Sequence, residues 1–156
     1  ILETTSPRAW AFTLIGIHEY LRRYSGDRRA AQVRDELAGR LLKLYKRVRS
    51  ADWFWYEDSL TYCNAVLPQA MIMCGQWIPD SDMTAAGLES LGWLAKIQRA
   101  SPGGHFVPIG SNGFYVKGSE MARFDQQPVE AQAMVSACLE AYRSTGEQRW
   151  YEEALR

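Results

Sequence analysis

The sequence predicts an all-α fold of antiparallel helical hairpins, and three observations carry that expectation. Apolar residues recur at helical spacing through six segments. Three short glycine turns, Tyr24-Ser25-Gly26-Asp27, Cys74-Gly75-Gln76-Trp77 and Ser144-Thr145-Gly146-Glu147, alternate with two long loops near 49–58 and 101–127. Charge alternates as well: eleven Asp, Glu, Lys or Arg residues lie between 27 and 49, none between 59 and 75, and three between 128 and 144. A helix apolar all round is buried and an amphipathic one lies at the surface, so odd helices are expected inside and even helices outside. In antiparallel order the three turns share one end of the molecule and both long loops share the other. One face is then plain and the other elaborated, which is how a scaffold carries a binding site on its loops.

The first helix starts at Ser6-Pro7, an N-cap followed by Pro at N1, and runs to about Tyr24 with Trp10, Leu14, Ile17 and Leu21 on one stripe. Gly26 is expected at a left-handed C′ position, and Asp27 caps the next helix. That second helix, roughly 27–49, repeats Ala30, Val33, Leu37, Leu41, Leu44 and Val48. The third is expected over 59–74. There Pro68 removes the usual partner of the Asn64 carbonyl and predicts a kink. The fourth covers about 80–100 with Asp80 or Ser81 as cap, the fifth 128–143, and the sixth begins near Glu147. Between the fourth and fifth, two apolar runs flank Gly110-Ser111-Asn112-Gly113, which predicts a small β-hairpin near 104–118. Residues 21–27 weakly parallel 141–147, and a repeated inner–outer hairpin points to a solenoid or a closed toroid.

The length of 156 residues suits one domain or a piece of a larger one. The start at Ile1-Leu2-Glu3 without Met, and the end inside a periodic stretch, read as a fragment of a longer polypeptide. With 18 basic and 18 acidic residues the formal net charge is zero, so neither nucleic acid nor a membrane surface is expected as a partner. No apolar run is long enough to span a bilayer. Cys63 and Cys74, about 16 Å apart along one helix, cannot pair, and with Cys138 they read as buried thiols of a reducing, cytoplasmic compartment. No Cys/His spacing resembles a metal site, and no cofactor is expected.

Two segments carry candidate chemistry. Trp53-Phe54-Trp55-Tyr56-Glu57-Asp58 sets four aromatics and two carboxylates before the third helix. Flat rings stack on sugar C–H faces and carboxylates accept sugar hydroxyls, but the rings equally suit core packing and Asp58 a helix cap. Tyr62 and Asn64, polar in an apolar stretch, either line a cavity or bond to neighbouring helices. Arg123-Phe124-Asp125-Gln126-Gln127-Pro128-Val129-Glu130 opens the fifth helix. Gln127 reads as its N-cap and Glu130 as the N3 acid of a capping arrangement, while Asp125 stands outside the helix. His105, after Gly103-Gly104, is either an acid–base group or a surface residue. Asp80-Ser81-Asp82 reads as a cap and His18 as structural.

Trp55-Tyr56-Glu57-Asp58-x-Leu60-Thr61-Tyr62-x-Asn64-x-x-Leu67-Pro68 and Phe124-Asp125-Gln126-Gln127-Pro128-x-Glu130-Ala131 together resemble the six-hairpin (α/α) toroids. That superfamily includes many glycoside hydrolases and the N-acylglucosamine 2-epimerase group. The second motif looks especially like the domain beside bacterial group 1 glycosyltransferases. The resemblance covers nearly all of residues 1–156 but about three of six hairpins, implying a partial toroid domain. It implies a saccharide at the mouth of the inner helices, with Trp53, Trp55 and Phe124 stacking on it. Asp58 and Asp125 would be acid–base groups with Glu57 and Glu130 behind them, and Tyr62, Asn64, His105, Gln126 and Gln127 would contact hydroxyls. Cys63 stands where such relatives carry Asp, which places catalysis in question. A noncatalytic saccharide-binding or scaffolding domain of a glycosyltransferase is the alternative, and a helical protein-interaction module the third.

Overall fold

Ser6 opens the first helix, α1 (Pro7–Arg23): its hydroxyl accepts from the Ala9 amide at 3.4 Å, and Pro7 fills N1, where a missing N–H costs nothing. Asp27 caps α2 (Arg28–Val48), its Oδ1 accepting from the amides of Arg29 and Ala30 at 3.0 Å each. The next helix is α3 (Val66–Trp77). Asp80 caps α4 (Ser81–Ile97) through the amides of Asp82 and Met83, so the Asp80-Ser81-Asp82 triplet is a cap. Then come α5 (Pro128–Thr145) and α6 (Gln148–Ala154), joined through Gly146 in the left-handed conformation at φ 70°. The computed structural model describes residues 1–78 and 80–156.

The helices form three hairpins, α1–α2, α3–α4 and α5–α6, set side by side. Helix α3 is central and touches α1, α2, α4 and α5. Its sequence dictates that place: from Val66 to Gly75 only Gln69 escapes burial. The amphipathic α2 buries Leu37, Ala38, Leu41, Leu42 and Tyr45 and turns its charges to water. Each fully buried Leu contributes about 2 kcal/mol of transfer free energy. Helices α1, α3 and α5 run the same way. Arg8 of α1 and Glu130 of α5 both meet Asn64, just before α3. At the opposite end His18 packs edge-on against Trp77 at 4.9 Å, and the Gln76 amide donates to Glu140 at 3.1 Å. The long loops therefore share one end and the short turns the other.

Several boundaries differ from expectation. The third helix begins at Val66 rather than at 59, because residues 59–60 leave the helical path to form β1 (Ser59–Leu60). This strand pairs antiparallel with β2 (Tyr115–Val116), matching Ser59 to Val116 and Leu60 to Tyr115. No hairpin closes on itself within 104–118. Its second run found a partner in the other long loop, while Phe106 bridges back to Arg99. Pro68 falls in the first turn of α3, where its nitrogen has no helical duty, so the expected kink dissolves. The Asn64 carbonyl accepts from Leu67 instead, at 3.2 Å. Gly26 is not left-handed; the turn closes by an Asp27 amide to Tyr24 carbonyl bond of 3.1 Å. Gly75 lies inside α3, where it admits α4: a Cβ there would sit 2.7 Å from the Thr84 nitrogen. Cys63 precedes α3 rather than sharing it with Cys74, and all three cysteines are free and buried. No described helix is long and apolar enough to cross a membrane.

Candidate functional site

The loop-bearing end is organised by a buried polar knot. Asn64, with no exposed surface, holds residues 61–64 in a closed turn: its Oδ1 accepts from the Thr61 amide at 2.9 Å and its Nδ2 donates to the Thr61 carbonyl at 3.1 Å. The same Nδ2 donates to Glu130 Oε2 at 3.0 Å, and the Asn64 amide reaches that oxygen at 3.3 Å. Glu130 Oε1 accepts from the Cys63 amide. Cys63 sits at φ +46°, an unusual conformation for a side-chain-bearing residue, and this turn aims consecutive N–H groups at one carboxylate. Ala65, the N-cap of α3, has no side-chain cap of its own. Glu130 thus serves amide groups leading into α3 from another helix.

Arg8 completes the knot. Only 5% exposed, it donates from Nε to the Tyr62 carbonyl at 2.6 Å, from Nη1 to Glu57 at 2.5 Å and from Nη2 to Asn64 Oδ1 at 3.1 Å. The exposed Tyr62 ring lies over its guanidinium, 5.3 Å from centroid to carbon. A cation in the first turn of a helix opposes the helix dipole, and that anomaly was the available sequence signal for Arg8, which sequence reasoning missed. Burial is the main influence on Glu130 and raises its carboxyl above the ordinary value; the amides of Asn64 and Cys63, the Asn64 side chain and the Arg8 charge pull back.

The expected site residues divide. Trp53 and Trp55 are buried, a correction to their expected stacking on sugar. Trp93 of α4 explains it: it meets Trp53 edge-on at 5.0 Å and Trp55 at 6.0 Å, while Tyr115 closes on Trp53 at 5.2 Å. Trp53 also donates to the Glu57 carbonyl at 2.8 Å. Glu130 is not the acid of a local capping box, because its carboxylate reaches back across the fold to Cys63 and Asn64. Asp58 caps no helix; it is exposed at the start of β1, its carbonyl accepting from the Lys117 amide at 2.8 Å. Glu57 is half-buried against Arg8.

Phe124, at 77%, is the most exposed large apolar residue among those described; its neighbours Asp125, Gln126 and Gln127 are exposed, as is His105 in the same long loop. Asp125 adopts φ +58°, and its carbonyl is held by the Ser111 amide at 3.2 Å and hydroxyl at 2.8 Å. Gly110 lets that segment close: a Cβ there would lie 2.6 Å from the Phe124 nitrogen. Gln126 lines a cleft with Ile97, Val107 and Arg123. So β1–β2 joins the two long loops, with Asp58 on one, Asp125 on the other, and Glu57, Asn64 and Glu130 locked in the knot beneath.

Among the described residues no group of three or more His, Cys, Asp or Glu is placed to hold a metal ion. Comparison of the chain with protein-family models, with curated proteins and with solved structures returned no match.

Proposed function

We propose that this chain is a saccharide-binding domain of the (α/α) toroid type, noncatalytic, with its ligand at the loop-bearing end of the inner helices. The commitment of the knot's acids carries the noncatalytic choice. Glu130 accepts from three N–H donors and Glu57 from Arg8, so both carboxylates are engaged in holding the loops to the helices rather than turned toward a ligand. Among the residues that face water at that end are Tyr62, Phe124, Asp58, Asp125, Gln126 and Gln127, which supply flat rings, amides and acceptors suited to hydroxylated ligands. The resemblance to toroid domains beside bacterial glycosyltransferases makes a transferase domain, or further toroid hairpins, the expected partner.

A soluble oligosaccharide panel tests this by titration calorimetry. At least one glycan is expected to bind, and Phe124→Ala and Tyr62→Ala to weaken it by about tenfold each, the scale of one aromatic contact. Aryl glycosides are expected to pass through unhydrolysed. A catalytic reading keeps one observation in its favour, the exposure of Asp58 and Asp125 on the two joined loops. Glycoside turnover abolished by Asp58→Asn or Asp125→Asn, with the fold intact, would establish that reading instead.

A further inference from the structure

We propose that the sugar this end recognises is an acidic one, its carboxylate or phosphate held in the cleft between the end of α4 and the second long loop. The inference rests on the saccharide reading for the sugar and on the cleft itself for the anion. The cleft measures about 500 Å³, room for a sugar unit. Ile97, Val107 and Met121 give it apolar wall; Arg99, Arg123 and Gln126 give it donors. An apolar patch beside guanidinium groups matches a pyranose C–H face next to an oxyanion, because Arg presents paired N–H groups to two oxygens at once.

Local charge favours an anion. Arg99 is paired with Glu153, which it shares with Arg156, and neither Glu153 nor Arg156 lines the cleft. Arg123 is exposed and forms no ion pair among the described residues. Glu120 and Asp125 lie in the same loop as Arg123, but neither lines the cleft. The lining of the cleft itself holds two arginines, Arg99 and Arg123, and no carboxylate. Backbone hydrogen bonds tie the wall of the cleft to the end of α4: the Val107 amide donates to the Gln98 carbonyl at 2.7 Å and the Ala100 amide to the His105 carbonyl at 2.9 Å.

Amide chemical-shift titrations with sodium glucuronate, glucose 1-phosphate, glucose and acetate test it. Glucuronate or glucose 1-phosphate is expected to bind about tenfold more tightly than glucose, shifting amides within 97–107 and 121–126. The tighter of the two identifies carboxylate or phosphate. Arg123→Gln, an exposed position whose unchanged spectrum certifies folding, is expected to bring the acidic sugars down to the glucose level and leave glucose unaffected. Raised salt is expected to act in the same direction. Equal affinity for all three sugars, or an Arg123→Gln protein indistinguishable from wild type, overturns the anion subsite and leaves the saccharide reading standing. Acetate binding with no sugar binding overturns the sugar half and leaves the anion subsite. Silence toward all four probes overturns the inference.

Discussion

Glu130 shows how one side chain ties together segments far apart in sequence. Its carboxylate takes the amides of Cys63 and Asn64 and the Asn64 side chain, and each becomes an unpaired buried donor if it is removed. Glu130→Ala is therefore expected to lose about 3 kcal/mol of stability in a urea titration, while Asp58→Ala, at an exposed position without positive φ, stays within about 0.5 kcal/mol. The sign of the pH dependence follows from the raised folded-state value. Below the ordinary 4.5 both folded and unfolded forms are protonated at Glu130. As pH rises from there the unfolded chain ionises first, so this residue's contribution falls until the folded value is passed. Stability of wild type relative to Glu130→Gln is expected to decline with pH above 4.5, and a rising difference would show that the amide donors outweigh burial. The place of Glu130 near Gln127-Pro128 suggested a local capping acid; that its partners lie 66 residues away was not legible, because nothing local encodes them.

At the scale of elements, caps and periodicity were legible and long-range pairings were not. Ser6, Asp27 and Asp80 cap the helices their sequence positions indicate, since capping is a local hydrogen bond. The start of α3 differs from expectation because Ser59-Leu60, one polar and one apolar residue, suit a strand only once Tyr115-Val116 is beside them. Pro68 held the correction: Pro is at ease in a first turn, and placing it there moves the helix start to Val66. The aromatic loop was ambiguous for a related reason, since burial of Trp53 and Trp55 depends on Trp93, some forty residues on. The α3–α4 crossing yields its own prediction. Gly75→Ala drives a methyl group against the Thr84 backbone, and the cost is expected at about 1–3 kcal/mol, read as a lowered midpoint of thermal unfolding.

At the scale of the molecule, three hairpins in a row put the N-termini of α1, α3 and α5, both long loops and the polar knot at one end. The central place of α3 was readable from its lack of charge, because a helix apolar all round has no stable place except between others, whereas α1 and α5 each bury one face and leave the other exposed. The proposed toroid and its saccharide extend that layout into function. The most direct test is an amide chemical-shift map of the protein with the tightest-binding glycan of the panel. Shifts are expected to cluster in residues 49–65 and 97–127. Shifts confined to the three short turns, at the far end, would contradict a ligand site on the loop-bearing face.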